Sequence, residues 1–360
     1  MPSVDRPLLR VLVVDDSALV REVMQLLLTA DESFAVTTAA DPLIALRKMA
    51  ISRPDVILLD LAMPRMDGLS FLRKVMAEDP IPVVVCTATT ECAADVAMRA
   101  LDEGAVDVVT KPRVGVRGFF EDSATPLVDT LRAAAQASVR RRATPAPVPT
   151  HAAERRGSPP QGRRVKHALV AVGASTGGTD ALTVLLGALP EDTPGLVVVQ
   201  HMPKGFTGAF ARRLDGVCRV AVKEAADGDR VERGLALIAP GDRHMIVRSE
   251  GAHWRVRIVD GPPVSRHRPS VDVLFRSVAD AAGAAAVGVI LTGMGRDGAE
   301  GLRAMKDLGG WTIAQDEATC VVFGMPREAI ALGVVDVVAP LSRIAGAILE
   351  RTAAENRSEE

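Results

Sequence analysis

ALVAVGASTGG, residues Ala168 to Gly178, is an apolar run that stops at a serine set between glycines. Its first five residues predict a short buried strand, and Asp180 to Leu189 has the spacing of a helix. Ser175 therefore stands at a strand-to-helix turn. In a parallel sheet such a turn lifts a side chain into the crevice at the carboxyl ends of the strands. Gly173 to Gly177 also fits G-x-S-x-G, the turn that presents a nucleophilic serine beside backbone N–H donors. The same residues suit a glycine-rich turn that caps a helix or holds a phosphate. No lysine follows Gly178, so the phosphate-loop pattern is not met.

Downstream, the alternation continues. Gly195 to Gln200 (GLVVVQ) is a strand followed by His201, and Val287 to Leu291 (VGVIL) leads into TGMGRDG, which contains Asp297. Helical spacing over Thr207 to Leu214, Ser270 to Ala282 and Leu341 to about Ala353 fills the intervals. The pattern predicts a mainly parallel α/β sheet with an antiparallel excursion near residues 236–259. Ser175, His201 and Asp297 then share one sheet edge. A serine hydroxyl is a poor nucleophile unless an imidazole takes its proton, and a carboxylate fixes that imidazole and stabilises the cation formed. His201 is preferred among the six histidines because it directly follows an apolar strand. His267, in SRHRPSVD, is the next candidate, as a substrate contact. The bland alternatives are a hydrogen-bonded rim histidine and an aspartate capping the helix after Gly298. The order Ser, His, Asp departs from the Ser, Asp, His order of α/β-hydrolases.

The first 140 residues carry a second alternation. Strands over Arg10 to Val14, Phe34 to Ala39, Asp55 to Asp60, Pro82 to Thr87 and Val106 to Val109 alternate with helices, which predicts a parallel sheet covered on both faces. Asp15, Asp16, Asp60, Thr87 and Lys111 fall at or just beyond strand carboxyl ends. Three carboxylates at one point repel each other unless a cation joins them, and hard oxygen ligands suit Mg²⁺. A lysine and a hydroxyl beside them can hold phosphoryl oxygens. For any one aspartate alone, a solvated or capping role is the simpler reading.

At 360 residues the chain has room for two cores. The net charge is −2 and no region is dominated by one sign, which argues against a general nucleic-acid binder. No apolar run reaches the roughly 18 residues of a membrane span, and the first residues lack a signal-peptide core, so a cytoplasmic protein without membrane insertion is expected. The four cysteines have no paired spacing of the kind a zinc or disulfide framework needs. Between Arg140 and Lys166 proline, alanine and arginine dominate without an apolar period, which reads as a tether. A non-catalytic output domain would show a helix-turn-helix or basic recognition helix after the tether, and Ala168 to Leu349 contains neither pattern.

Two resemblances sharpen this reading. VVDDS, LLDLAMPRMDG, VVVCTA and VVTKP resemble, in order, the motifs of the response-regulator receiver domain. That resemblance implies phosphorylation at Asp60, Mg²⁺ held by Asp15, Asp16 and Asp60, and a switch through Thr87 and Lys111. Val108 stands where receivers often carry an aromatic residue, so coupling should rest on Thr87 and the neighbouring helix face. VGASTGG, VVVQHMP, IAPGDRHM, SRHRPSVDVLF and LTGMGRDGA resemble the catalytic domain of the chemotaxis protein-glutamate methylesterases. This implies Ser175 as nucleophile, His201 as general base, Asp297 as its carboxylate, and the Met294 N–H as oxyanion donor with Thr176 in support. It further implies glutamine deamidation by the same acyl-enzyme chemistry, with no cofactor for the ester step. The implied partners are a chemotaxis-type sensor histidine kinase as phosphodonor and the cytoplasmic domains of methyl-accepting chemoreceptors as substrate. At rest the receiver is expected to cover part of the catalytic crevice. The expected organisation is a flavodoxin-like receiver over 8–130, a linker over 131–166, and a Rossmann-like catalytic domain over 167–353, both doubly wound and mainly parallel.

Overall fold

A computed structural model of the chain describes residues 8–63, 66–111, 119–137 and 168–354, with backbone alone for 119–126 and 354. It divides into two compact units, Met1–Pro145 and Ala146–Glu360.

The first unit runs β1 (Leu9–Val14), α1 (Ala18–Thr29), β2 (Phe34–Ala39), α2 (Pro42–Ile51), β3 (Val56–Leu59), α3 (Gly68–Glu78), β4 (Val83–Thr87), α4 (Glu91–Asp102), β5 (Asp107–Thr110) and α5 (Phe119–Ala135). The strands pair in parallel in the order β2-β1-β3-β4-β5, the flavodoxin-like arrangement. Strands β3 and β4 are buried at every position because helices cover both faces, which is why they read as unbroken apolar runs. Four helices begin on polar caps: Ser17, Asp41, Asp67 and Thr90 accept from the N–H groups of Val20, Ile44, Ser70 and Ala93. Chain order reverses between β1 and β3, so Asp15 and Asp60 face one crevice. Helix α5 continues past residue 130, where the linker was expected to begin, with Leu131, Ala133 and Ala134 fully buried. The rest of that linker, from residue 138 to 166, lies outside the described residues.

The second unit runs β6 (Leu169–Ala174), α6 (Gly178–Gly187), β7 (Gly195–Gln200), α7 (Thr207–Val217), β8 (Ala221–Glu224), β9 (Leu235–Ile238), β10 (His244–Glu250), β11 (His253–Val259), α8 (Val271–Ala282), β12 (Ala286–Ile290), α9 (Ala299–Asp307), β13 (Trp311–Gln315), α10 (Met325–Ala331), β14 (Val337–Ala339) and α11 (Leu341–Ala354). Seven strands form one doubly wound parallel sheet, ordered β14-β13-β12-β6-β7-β9-β8. The antiparallel excursion is narrower than expected: β10 and β11 pair as a separate hairpin, whereas β9 joins the main sheet in parallel. Strand β6 lies between β12 and β7, so the turn after it stands at the centre of the sheet's carboxyl edge.

Helix α8 begins directly against β6. A Cβ on Gly173 would lie 2.2 Å from Val271 Cγ1, a separation no packed pair tolerates. Gly173→Ala should therefore push the start of α8 away and destabilise the second unit by about 1–3 kcal/mol, the usual cost of overpacking a core. Its urea transition should shift to lower concentration, and an unshifted midpoint would contradict this packing.

Candidate active site

Three neighbouring strands deliver the three residues. Ala174 ends β6 in register with Gln200 of β7, so Ser175 and His201 are the next residue along each. The His201 N–H donates to the Ala174 carbonyl at 3.0 Å. Gln200 then ties both turns down, donating from Nε2 to the carbonyls of Ser175 (2.9 Å) and His201 (3.1 Å). On the other side the Ser175 N–H donates to Thr292 O at 3.0 Å, beyond the end of β12. A Cβ on Gly293 would lie 2.7 Å from Ser175 Cβ, so glycine lets the TGMGRDG loop close on the serine.

His201 Nε2 donates to Asp297 Oδ2 at 2.8 Å, across the end of β6. With Nε2–H committed to the carboxylate, the ring's free lone pair lies on Nδ1, which is buried and has no hydrogen-bond partner. Such an orphaned acceptor is the group a serine proton would satisfy. Asp297 is held by three further donors: Ser270 Oγ at 2.8 Å, Val271 N–H at 2.8 Å and Asp272 N–H at 3.0 Å. These belong to the N-terminus of α8, where the helix dipole favours an anion. Burial alone would raise the Asp297 carboxyl; the hydrogen bond and charge of His201, with the Asp272 N–H and the charge of His267, outweigh it and bring it down to about 2.

His267 stacks on His201 with ring centroids 3.6 Å apart and planes tilted by 33°. Its Nδ1–H donates to Ser265 O at 3.0 Å, and burial, with the charge of His201 adding to it, pushes the ring down to about 3. Met294 is half-buried, and no described residue accepts from its N–H. Thr176 is buried, and its carbonyl accepts from Thr292 Oγ1 at 3.0 Å. Sequence reasoning missed Gln200, Ser270 and Thr292. Gln200 carried a signal, a polar residue closing a fully buried strand; Ser270 did also, as the cap of an S-x-D helix start.

In the first unit Asp15 and Asp60 are buried, Asp16 is exposed, and one oxygen from each lies within 4.8 Å of the others. Lys111 Nζ stands 2.7 Å from Asp15 Oδ2 and 2.7 Å from Asp60 Oδ2. Burial raises the Asp15 carboxyl, the Asp60 charge adds to this, and Lys111 opposes it. Burial would lower Lys111, but its hydrogen bonds to the two carboxylates prevail and raise it. Thr87 is buried at the end of β4, and its carbonyl accepts from Lys111 N–H at 2.9 Å. An all-oxygen cluster at an open rim is consistent with a Mg²⁺-binding phosphorylation site.

A seven-stranded parallel sheet with this crevice, in one chain with a flavodoxin-like sheet that carries an acidic cluster at its edge, has the make-up of a response-regulator hydrolase. Comparison with known proteins agrees. Residues 170–348 match the family described as CheB methylesterase, and residues 11–115 match the response regulator receiver domain. Protein-glutamate methylesterase/protein-glutamine glutaminase 5 of Anaeromyxobacter dehalogenans is 58% identical over 341 residues, covering 93% of this chain and 94% of that protein. The corresponding protein 3 of Geobacter metallireducens is 54% identical over 349 residues, covering 95% and 98%. The crystal structure of the Thermotoga maritima CheB methylesterase catalytic domain is 39% identical with a TM-score of 0.51, covering 52% of this chain and all of that one. The chain belongs to the protein-glutamate methylesterase/protein-glutamine glutaminase family of chemotaxis response regulators. No described helix is long and apolar enough to cross a membrane.

Because the Asp297 carboxyl sits below its ordinary 3.8, its contribution to stability is complete above that pH and is lost as pH falls toward about 2. The stability gap between wild type and Asp297→Ala, read from urea transitions of the second unit, should narrow over that window. A gap independent of pH would contradict this electrostatic account.

Proposed function

We propose that the chain is a phosphorylation-activated serine hydrolase that demethylates glutamate methyl esters, and deamidates selected glutamines, on the cytoplasmic domains of methyl-accepting chemoreceptors. The observation that carries this reading is the His201–Asp297 pair, 2.8 Å apart, with Nδ1 left without a partner beside the turn that holds Ser175.

Ser175 Oγ attacks the γ-carbonyl carbon while its proton passes to His201 Nδ1. Asp297 fixes the ring through Nε2–H and stabilises the imidazolium. The Met294 N–H, with Thr176 in support, receives the negative charge that develops on the carbonyl oxygen; one such donor is worth about 3 kcal/mol in the transition state. His201 returns the proton to the departing methoxide, and methanol leaves. Water, deprotonated by the same Nδ1, then attacks the acyl-enzyme, and Ser175 departs with its proton restored to leave a free glutamate. With a glutamine the first leaving group is ammonia and the remaining steps are unchanged.

The first unit is read as the receiver, ending near the end of α5, and residues from 168 onward as the hydrolase, with the intervening segment as tether. A carboxylate oxygen of Asp60 attacks the phosphorus of a phosphohistidine on a chemotaxis-type sensor histidine kinase, forming an acyl phosphate as the P–N bond breaks and the kinase histidine leaves. Lys111 holds the phosphoryl oxygens, and Thr87 reports the new charge. Asp15, Asp16 and Asp60 would hold Mg²⁺, which would supply the charge neutralisation that lets an anionic phosphoryl group approach an anionic carboxylate. Val108 leaves the readout to Thr87 and the adjoining helix face.

Ser175→Ala should abolish methanol release from methylated receptor fragments while leaving Asp60 phosphorylation intact; persistent release overturns the nucleophile assignment. A small phosphodonor with Mg²⁺ should raise the wild-type rate and leave Asp60→Asn unresponsive. Equal wild-type rates with and without phosphodonor remove the regulatory half of the reading.

A further inference from the structure

Asp272 is a second buried carboxylate beside the candidate triad, 5% exposed, and the reaction as written does not use it. Its backbone N–H donates to Asp297 Oδ1 at 3.0 Å. Its own Oδ1 accepts from Gly298 N–H at 2.9 Å, at the N-cap of α9, and from Gly301 N–H at 2.7 Å, in its first turn. Each helix start therefore receives a carboxylate from the other's segment: Asp297 caps α8, and Asp272 caps α9. The glycines make this closure possible. Gly298 has φ +95°, and a Cβ on Gly301 would lie 3.0 Å from both Asp272 Cα and its carbonyl oxygen.

The other oxygen reaches a third segment. Asp272 Oδ2 accepts from Ser265 Oγ at 3.2 Å, in a turn where Ser265 takes the left-handed φ of 51°. Ser265 O in turn accepts from His267 Nδ1, and the His267 ring lies on His201. One carboxylate thus joins the backbone that carries Asp297, the helix end that holds its side chain, and the turn that lays His267 on the base. Burial and the neighbouring Asp297 charge raise the Asp272 carboxyl, and the Gly301 and Gly298 N–H groups oppose that rise.

We propose that Asp272 is a positioning residue for ester hydrolysis, acting through Asp297 and His267 to hold the His201 ring in line with Ser175. The inference rests on the triad reading above. Its weight comes from geometry: reacting groups held in line are worth orders of magnitude in rate, and small displacements forfeit much of it.

Methanol release by the full chain, with kcat expressed per folded molecule, tests this. Asp272→Ala should lower kcat about tenfold or more and leave KM within about threefold, since the loss is of alignment rather than of substrate contact. Asp272→Asn should recover most of the rate, because its Oδ1 still accepts from Gly298 and Gly301 and its amide still meets Ser265. An Asp272→Ala enzyme with wild-type kcat overturns the proposal, as does an Asp272→Asn enzyme equally impaired. Should Asp272→Ala not fold, Ser265→Ala removes the single arm to His267. It should lower kcat and lose that effect when His267→Ala is already present; fully additive losses sever the arm. A wild-type chain that releases no methanol would instead defeat the esterase reading itself, a separate result.

Discussion

A carboxylate taken out of water costs several kcal/mol unless hydrogen bonds and opposite charge replace its hydration. Asp297 is 2% exposed, and four donors meet it: His201 Nε2, Ser270 Oγ and the N–H groups of Val271 and Asp272. Much of the second unit follows from keeping those donors in place. The start of α8 must reach the carboxyl edge of the sheet, so β6 carries Gly173 where Val271 comes in, and the TGMGRDG loop carries Gly298 against the same valine. The apolar interior beneath, from Leu169 on β6 to Phe275 on α8, is what keeps that helix from retreating. The imidazole is thereby held by a fixed, fully hydrogen-bonded acceptor, which suits the role of base proposed for it.

The first unit solves the same problem with different means. Asp15 and Asp60 are buried, and their charge is met by the Lys111 ammonium, equidistant at 2.7 Å from each. A helix end cannot leave its carboxylate. An ammonium on a four-carbon stem can turn to other oxygens when they arrive. The contrast matches the roles proposed for them: fixed dipoles suit a carboxylate that orients a base, and a movable cation suits a site that would gain a phosphoryl group.

Legibility varied with local contrast. Strands β3, β4, β6 and β7 are buried along their whole length, so they stood out as apolar runs, and the polar residues at their ends stood out with them. Helix α10 and strand β14, 7 and 3 residues long, are too short for a period to emerge. The end of α5 was obscured because its buried Ala133 and Ala134 have the composition of the alanine-rich tether that follows. The β9 segment and the β10–β11 hairpin have similar apolar content, and nothing local tells a strand which neighbour it will pair with.

The amino-acid sequence by itself determined the order of strands and helices, the two-unit division, and which reactive side chains stand at strand ends, because burial and turn chemistry act over a few residues. Tertiary structure decided which imidazole nitrogen faces Asp297, where that carboxylate finds its donors, and that Asp272 and Ser265 belong to the same assembly as His267. The bonds joining Asp297 to Ser270, Val271 and Asp272 span 25 to 27 residues, and that from Asp272 to Gly301 spans 29. Their formation depends on how two helix ends meet above a sheet, and no local periodicity encodes that meeting.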